Sequence, residues 1–371
     1  MISQKTLPFL LLLLATCCTV FAEKTNDGED AVAEEHNKEG LEEKRKEDSL
    51  IQAQFGYSFD DISDKLVVIK HEMGSGSGFI ATMDGKTYLF TNQHIILGAE
   101  KISFTTLSGK KLRPRKVELS VTRDIARLLL ADDTESFGIT GEMPMDSPVG
   151  VFGNSDTDEV ATKLYGTVTG VGAEIVEVSA DFVSGNSGSP VLNIDQEVLG
   201  IASYVRKSDT HAMKEGTKFE NRTRRFCYRL TGNQWKPVNW KQYNDKYGRF
   251  YYQNTLFTDG VIEVLTNWGD TPRDRISISE NPEKSLVSWT KSHNELIEKY
   301  SHKTRIFASE YSGSLKKLSE SCSSRARQTR LFSEQRELTE YLREELDSQS
   351  VTLDYIAKLL VRISKRAKDY R

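Results

Sequence analysis

Three residue types that together can break an acyl bond occur in order along this chain: a histidine, an aspartate and a serine. The serine lies in Gly185-Asn186-Ser187-Gly188-Ser189-Pro190, between two strand-like runs. A serine hydroxyl is a weak nucleophile. Acyl transfer therefore needs a base beside it, an anion to hold the base's tautomer, and backbone N–H groups aimed at the developing oxyanion. Glycines permit the dihedrals that such a tight turn demands. Upstream, Thr91-Asn92-Gln93-His94 closes a run of strand character, and Arg123-Asp124-Ile125-Ala126 opens another. His94, Asp124 and Ser187 thus supply base, anion and nucleophile. Each has a bland reading alone, since a Gly-x-Ser-Gly can be just a turn and a histidine after a strand is usually structural. All three in order, each in strand context, make a far narrower pattern. Of the six histidines, His36 lies in an acidic stretch and His71 on the first strand, which leaves His94 in the required place. There is no Cys-x-x-Cys, no helical His-x-x-x-His and no calcium loop, so no metal site is expected, and this chemistry needs no cofactor.

The elements around these residues read as β. Leu66–Ile69, Gly78–Thr82, Tyr88–Thr91, Lys101–Thr105 and Ala126–Leu130 are separated by turn signals such as Asp84-Gly85 and Ser108-Gly109. A second series comprises Val149–Phe152, Thr162–Thr169, Ile175–Val178, Pro190–Leu192, Val198–Tyr204 and Arg225–Leu230. Two series of about six short strands, with no helical pattern between them, predict two β-barrels.

Gly74-Ser75-Gly76-Ser77-Gly78-Phe79-Ile80, then Thr-Asn-x-His, Asp-Ile-Ala and Gly-Asn-Ser-Gly-Ser-Pro-Val resemble the trypsin-like serine proteases of bacteria, most of all the branch with the high-temperature-requirement proteases and the glutamyl endopeptidases. The resemblance covers about residues 65–230. It implies a mainly β, chymotrypsin-like fold of two antiparallel six-stranded barrels, with Ser187 as nucleophile, His94 as general base and then acid, and Asp124 as orienting carboxylate. The N–H groups of Gly185 and Ser187 would form the oxyanion hole, and the substrates would be proteins or peptides. Gln93 departs from the small or Asn residue common before that histidine. By the resemblance Asp181 would fall near the floor of the primary specificity pocket, where related bacterial enzymes often carry an Asp without basic specificity, and Ala202 and Ser203 would be further pocket residues. Gly200-Ile201-Ala202 lacks the histidine of the glutamyl endopeptidases, so glutamate specificity is not supported, and no preferred residue is named.

The rest of the chain frames this core. It has 371 residues, 37% hydrophobic and 28% charged, with 50 Lys plus Arg against 54 Asp plus Glu. That size allows two or three domains, and with a formal charge of −4 no nucleic-acid partner is expected. Residues 1–22 read as a secretory signal peptide: Lys5, an apolar run through Leu14, and the small-residue ending Val20-Phe21-Ala22. A secreted or periplasmic location follows, with lipoprotein anchoring through Cys17 as the lesser alternative. Residues 23–60 form an acidic segment expected to be a disordered linker or propeptide, since 23–50 carry eleven acidic and five basic side chains. The protease domain spans 61–232, an aromatic and basic connecting region 233–280, and an α-helical region 281–371, with apolar residues three, four and seven apart. Residues 281–371 hold 18 basic and 13 acidic side chains, a solvated helical face or a surface for a partner protein or the cell envelope. No PDZ pattern is evident there. After signal removal Cys227 and Cys322 remain, enough for one disulfide. Asn221-Arg222-Thr223 matches a glycosylation sequon of little weight.

The leading expectation is thus a secreted serine endopeptidase. An inactive protease-fold binding protein and a cell-envelope protein acting through its helical tail stay open beside it.

Overall fold

A computed structural model describes residues 42, 44–72, 74–131, 134–155, 160–183, 185–206, 223–267 and 304–369. The expectations for 1–22, for Cys17, for the first part of the acidic segment, for Asn221-Arg222 and for 268–303 lie outside these residues. The described chain divides into two units, one ending at Asn244 and one starting at Asp245.

The first unit is built on fifteen strands. β1 (Leu66–His71), β2 (Gly74–Met83), β3 (Lys86–Thr91), β4 (Ile102–Thr106), β5 (Lys111–Leu112), β6 (Val117–Ser120) and β7 (Ala126–Leu129) join β15 (Trp235–Val238) in one sheet, ordered β15-β6-β7-β3-β2-β1-β4-β5. The β2–β3 hairpin forms where Asp84-Gly85 predicts it: both residues have positive φ, 53° and 70°, between the paired Met83 and Lys86. Positive φ at both central positions gives the turn whose twist matches the flanking strands.

The other strands are β8 (Gly138–Ile139), β9 (Pro148–Ser155), β10 (Val160–Val171), β11 (Ile175–Val178), β12 (Pro190–Leu192), β13 (Glu197–Arg206) and β14 (Arg224–Arg229). Their order β12-β9-β10-β11-β14-β13 closes on itself through β12–β13, with β8 added parallel to β13. This is a closed six-stranded antiparallel barrel, as expected for the second series. The first sheet differs from the expected six-stranded barrel. It has eight strands, and among the described residues no ladder joins its ends, because the short β5 and β15 extend its two edges. Pro237 sits in β15, an edge strand, where a missing N–H is tolerated.

The barrel interior is filled by alternating side chains, among them Val149, Val151, Val168, Val176, Phe182 and Cys227. A second cluster joins the two sheets: Leu66, Phe79 and Phe90 from the first meet Phe152, Leu192 and Ile201 from the second. Residues 137–140 stitch them further, since Phe137 N–H donates to Ile80 O and Thr140 N–H to Val198 O. That seam brings β2 against the turn before β12, where Ser77 N–H donates to Ser187 O.

The expectation of disorder over 23–60 does not hold for its second half. Residues 44–52 are helical, and Phe55, Tyr57 and Phe59 pack on the core cluster. A few aromatics docking on a preformed hydrophobic face outweigh a polar composition, which alone favours disorder.

The second unit holds the helices Arg249–Asn267, Thr304–Ser333 and Glu340–Asp369. Leu315, Leu318, Cys322 and Ala326 form a stripe three and four residues apart that packs with Leu353, Ile356 and Leu360. Thr339 caps the last helix, its hydroxyl accepting from Leu342 N–H at 3.2 Å. The aromatic stretch serves packing here: Phe250 stacks on Phe332 at 3.8 Å. Cys227 and Cys322 are free and buried, each within the core of its own unit. Burial pushes both thiols up, that of Cys322 to about 12.

Candidate active site

His94 sits on a single helical turn, Gln93–Ile96, started by the extended Asn92 at the end of β3. Its ring Nδ1 is 2.5 Å from Asp124 Oδ2, and its backbone N–H donates to Asp124 Oδ1 at 3.1 Å. Asp124 is 5% exposed. A carboxylate only accepts, so Nδ1 carries the proton of this contact, and in the neutral imidazole Nε2 is then the nitrogen with the lone pair. That is the tautomer a general base needs.

The residues around this pair fix it in place. Asn92 Nδ2 donates to Asp124 O at 2.6 Å, and the fully buried Gln93 donates through Nε2 to Ser120 O at 2.9 Å and Arg123 O at 2.8 Å. Gln93, which departs from the residue the resemblance leads one to expect there, therefore holds the turn that carries Asp124. Thr91 Oγ1 donates to Ser77 O at 2.8 Å and joins β3 to β2.

Ser187 lies on a turn between Gly185 (φ 95°) and Gly188 (φ 86°). These left-handed values suit glycine. At Gly188 a Cβ would come within 2.0 Å of Ser77 O, so glycine is also a steric requirement. The turn is held from several sides. Ser77 N–H donates to Ser187 O at 3.1 Å, Gly188 N–H to Ala202 O at 3.0 Å, and Ala202 N–H to Ser189 O at 2.9 Å. Asn186, fully buried, accepts from Val183 N–H at 3.0 Å and donates to Asn154 O at 3.0 Å and Thr162 Oγ1 at 3.1 Å. Ser187 Oγ is 3.5 Å from Ser203 O. Among the described residues, neither Gly185 N–H nor Ser187 N–H donates to a backbone carbonyl. Two such donors on one tight turn can receive an oxyanion.

The candidate pocket residues are placed differently from one another. Asp181 has Oδ1 2.9 Å from Arg225 Nη1, and its Oδ2 accepts from Lys44 of the N-terminal helical segment. Arg225 Nε also donates to Phe182 O at 2.9 Å. Ala202 is fully buried in the barrel interior, and Ser203 is half-buried on β13. A polar cleft of 580 Å³ lies between the helical segment and β10, lined by Arg45, Asp48, Ser49, Gln52, Lys163, Leu164, Tyr165 and Asp181. Burial raises the Asp48 carboxyl; Lys44 opposes this and Asp181 adds to it. Among the described residues no cluster of His, Cys, Asp and Glu could hold a metal ion. The Lys44 contact was not legible in the sequence, since no short motif marks a pairing across 137 residues.

A closed antiparallel barrel beside a second sheet, with histidine and aspartate on one and the serine turn on the other, is the arrangement of the trypsin-like serine proteases. Residues 76–201 match the trypsin-like peptidase domain. The chain is 29% identical over 174 residues to the serine protease Do-like HtrA of Bacillus subtilis, covering 42% of this chain and 38% of that protein. It is likewise 29% identical over 140 residues to a probable periplasmic serine endoprotease, DegP-like, of Halomonas elongata, covering 35% and 29%. Among solved structures, the serine endoprotease from Yersinia pestis aligns with a TM-score of 0.35 at 22% identity over 45% of this chain and 59% of that one. The chain thus spans well under half the length of these curated relatives.

Proposed function

We propose that this chain is an exported serine endopeptidase that cleaves proteins through an acyl-enzyme. In this reading His94 Nε2 takes the proton of Ser187 as Oγ attacks the scissile carbonyl, and Asp124 stabilises the imidazolium that forms. The N–H groups of Gly185 and Ser187 receive the oxyanion. His94 then protonates the leaving amine, and water, activated by the same imidazole, releases the acyl group. The observation that carries the reading is the 2.5 Å contact between His94 Nδ1 and a buried Asp124, which prepares the imidazole as a base. Export is supported by the apolar N-terminal run, and by relatives named as periplasmic.

The paired state of Asp181 favours a structural over a selective role for it, since both its oxygens are engaged by cations. The test is labelling with a fluorophosphonate probe together with cleavage of an unfolded protein substrate. Wild type is expected to do both, and Ser187→Ala neither. A folded wild type that leaves probe and substrate untouched would refute the enzyme reading and leave a binding protein on a protease scaffold. N-terminal sequencing of exported protein tests removal of 1–22.

A further inference from the structure

Arg123 immediately precedes Asp124 and is 4% exposed. A guanidinium is tolerated at such depth only where its donors find acceptors. Nη1 donates to the carbonyl oxygens of Arg229 and Thr231, both at 2.8 Å, and Nη2 lies 3.5 Å from Glu174. Those two carbonyls are at the end of β14. Its neighbour β13 in turn holds the Ser187 turn, through Gly188 N–H to Ala202 O. On the other side, the Arg123 carbonyl accepts from the buried Gln93, the residue next to His94. Ser120 in the same turn bonds Asn233, whose amide donates to Arg229 O and Leu230 O.

His94 and Asp124 belong to the first sheet and Ser187 to the barrel, so the register of the two sheets decides whether imidazole and hydroxyl meet. Arg123 is a direct hydrogen-bonded tie between the Asp124 turn and the end of β14, whose neighbour β13 holds the serine turn. We propose that Arg123, seated by Gln93, is a positioning residue that locks Asp124 to the β14 end and so keeps the imidazole in register with Ser187. The proposal deepens the protease reading and rests on it.

The test uses the full chain and three variants. The readouts are the second-order rate of fluorophosphonate labelling, and the far-downfield proton resonance of the His94 Nδ1–H bound to a carboxylate. A misplacement near 1 Å costs on the order of 100-fold in rate. Arg123→Met, under conditions where circular dichroism shows it folded, is expected to label about 30- to 100-fold more slowly and to lose or shift the resonance. Arg123→Lys restores one donor in place of the guanidinium fork and is expected to label about three- to tenfold more slowly than wild type, with the resonance shifted. Glu174→Gln removes a partner that is 54% exposed and 3.5 Å away, and is expected to stay within about twofold. Labelling of Arg123→Met within threefold of wild type, with the resonance unmoved, overturns the proposal however far stability falls. If Arg123→Met does not fold, Arg123→Lys carries the test, and a wild-type rate with an unmoved resonance overturns it. A wild type inert to the probe refutes the protease reading instead. The resonance alone then decides the tie: its loss in Arg123→Met supports the tie and its persistence overturns it.

Discussion

Replacing Gly188 by alanine is expected to disable the serine turn far beyond its cost in stability. The new Cβ would stand 2.0 Å from Ser77 O, 2.9 Å from Ser77 C and 3.0 Å from Ile95 Cδ1. Relief to ordinary contact requires the turn and β2 to part by about 1.4 Å. Three costs follow from the geometry. A non-glycine residue at φ 86° costs about 1–2 kcal/mol, and the crowding about 1–3 kcal/mol more. The Ser77 N–H to Ser187 O bond at 3.1 Å lies in the line of separation, and its loss adds about 1 kcal/mol. The total of about 3–6 kcal/mol is a large share of the ~5–15 kcal/mol typical of a folded domain. The effect on the proposed chemistry is larger, because a 1 Å shift of the proposed nucleophile costs about 100-fold. Urea unfolding measures the first, and the rate of fluorophosphonate labelling measures the second. Gly85→Ala is the control: φ is 70° and nothing lies within 4 Å of its Cβ, so it should cost about 1 kcal/mol and leave labelling unchanged. If Gly188→Ala labels at the wild-type rate, the close approach to Ser77 does not hold the serine in place and the reasoning fails.

Other perturbations separate surface from buried contacts. Lys44 and Asp181 are 41% and 40% exposed, so Lys44→Ala should change stability by no more than about 1 kcal/mol. Arg225 is 14% exposed and also bonds Phe182 O, so Arg225→Met should cost about 2–4 kcal/mol, read from urea midpoints. Equal effects would contradict this. Both thiols titrate above their ordinary value near 9, so above that pH the unfolded chain releases protons that the folded chain keeps. Stability should therefore be full below pH 9 and fall as pH rises, by up to about 1.4 kcal/mol per pH unit for each thiol. Urea midpoints that hold or rise between pH 9 and 10.5 would show the thiols to be accessible. In agreement with burial, a thiol reagent should modify neither cysteine in the folded chain at pH 8, and both after unfolding.

The sequence exposed what local chemistry dictates and hid what distant pairing dictates. His94, Asp124 and Ser187 stand in short motifs because each needs particular neighbours in the chain: the turn glycines at 185 and 188, and the strand ends at Thr91 and Ala126. The barrel strands were legible for the same reason, as their periodic apolar residues answer to one interior. Arg123 offers no such signal. Its acceptors are carbonyl oxygens more than a hundred residues away, and any residue type supplies a carbonyl. Gln93 stood out only as an oddity beside His94, and its role appears once Ser120 and Arg123 are brought over it. The helical segment at 44–52 was hidden by composition, because Phe55, Tyr57 and Phe59 are too few to look like a core until the sheet supplies the other half. β15 was hidden by Pro237 and by its aromatic surroundings. Its Trp235 packs on Phe90 and under Arg127, contacts set by the fold and not by chain neighbours. Such ties carry no motif of their own. The candidate catalytic residues can therefore be read locally, whereas the parts that set the distance between the two sheets can be found only after the chain has folded.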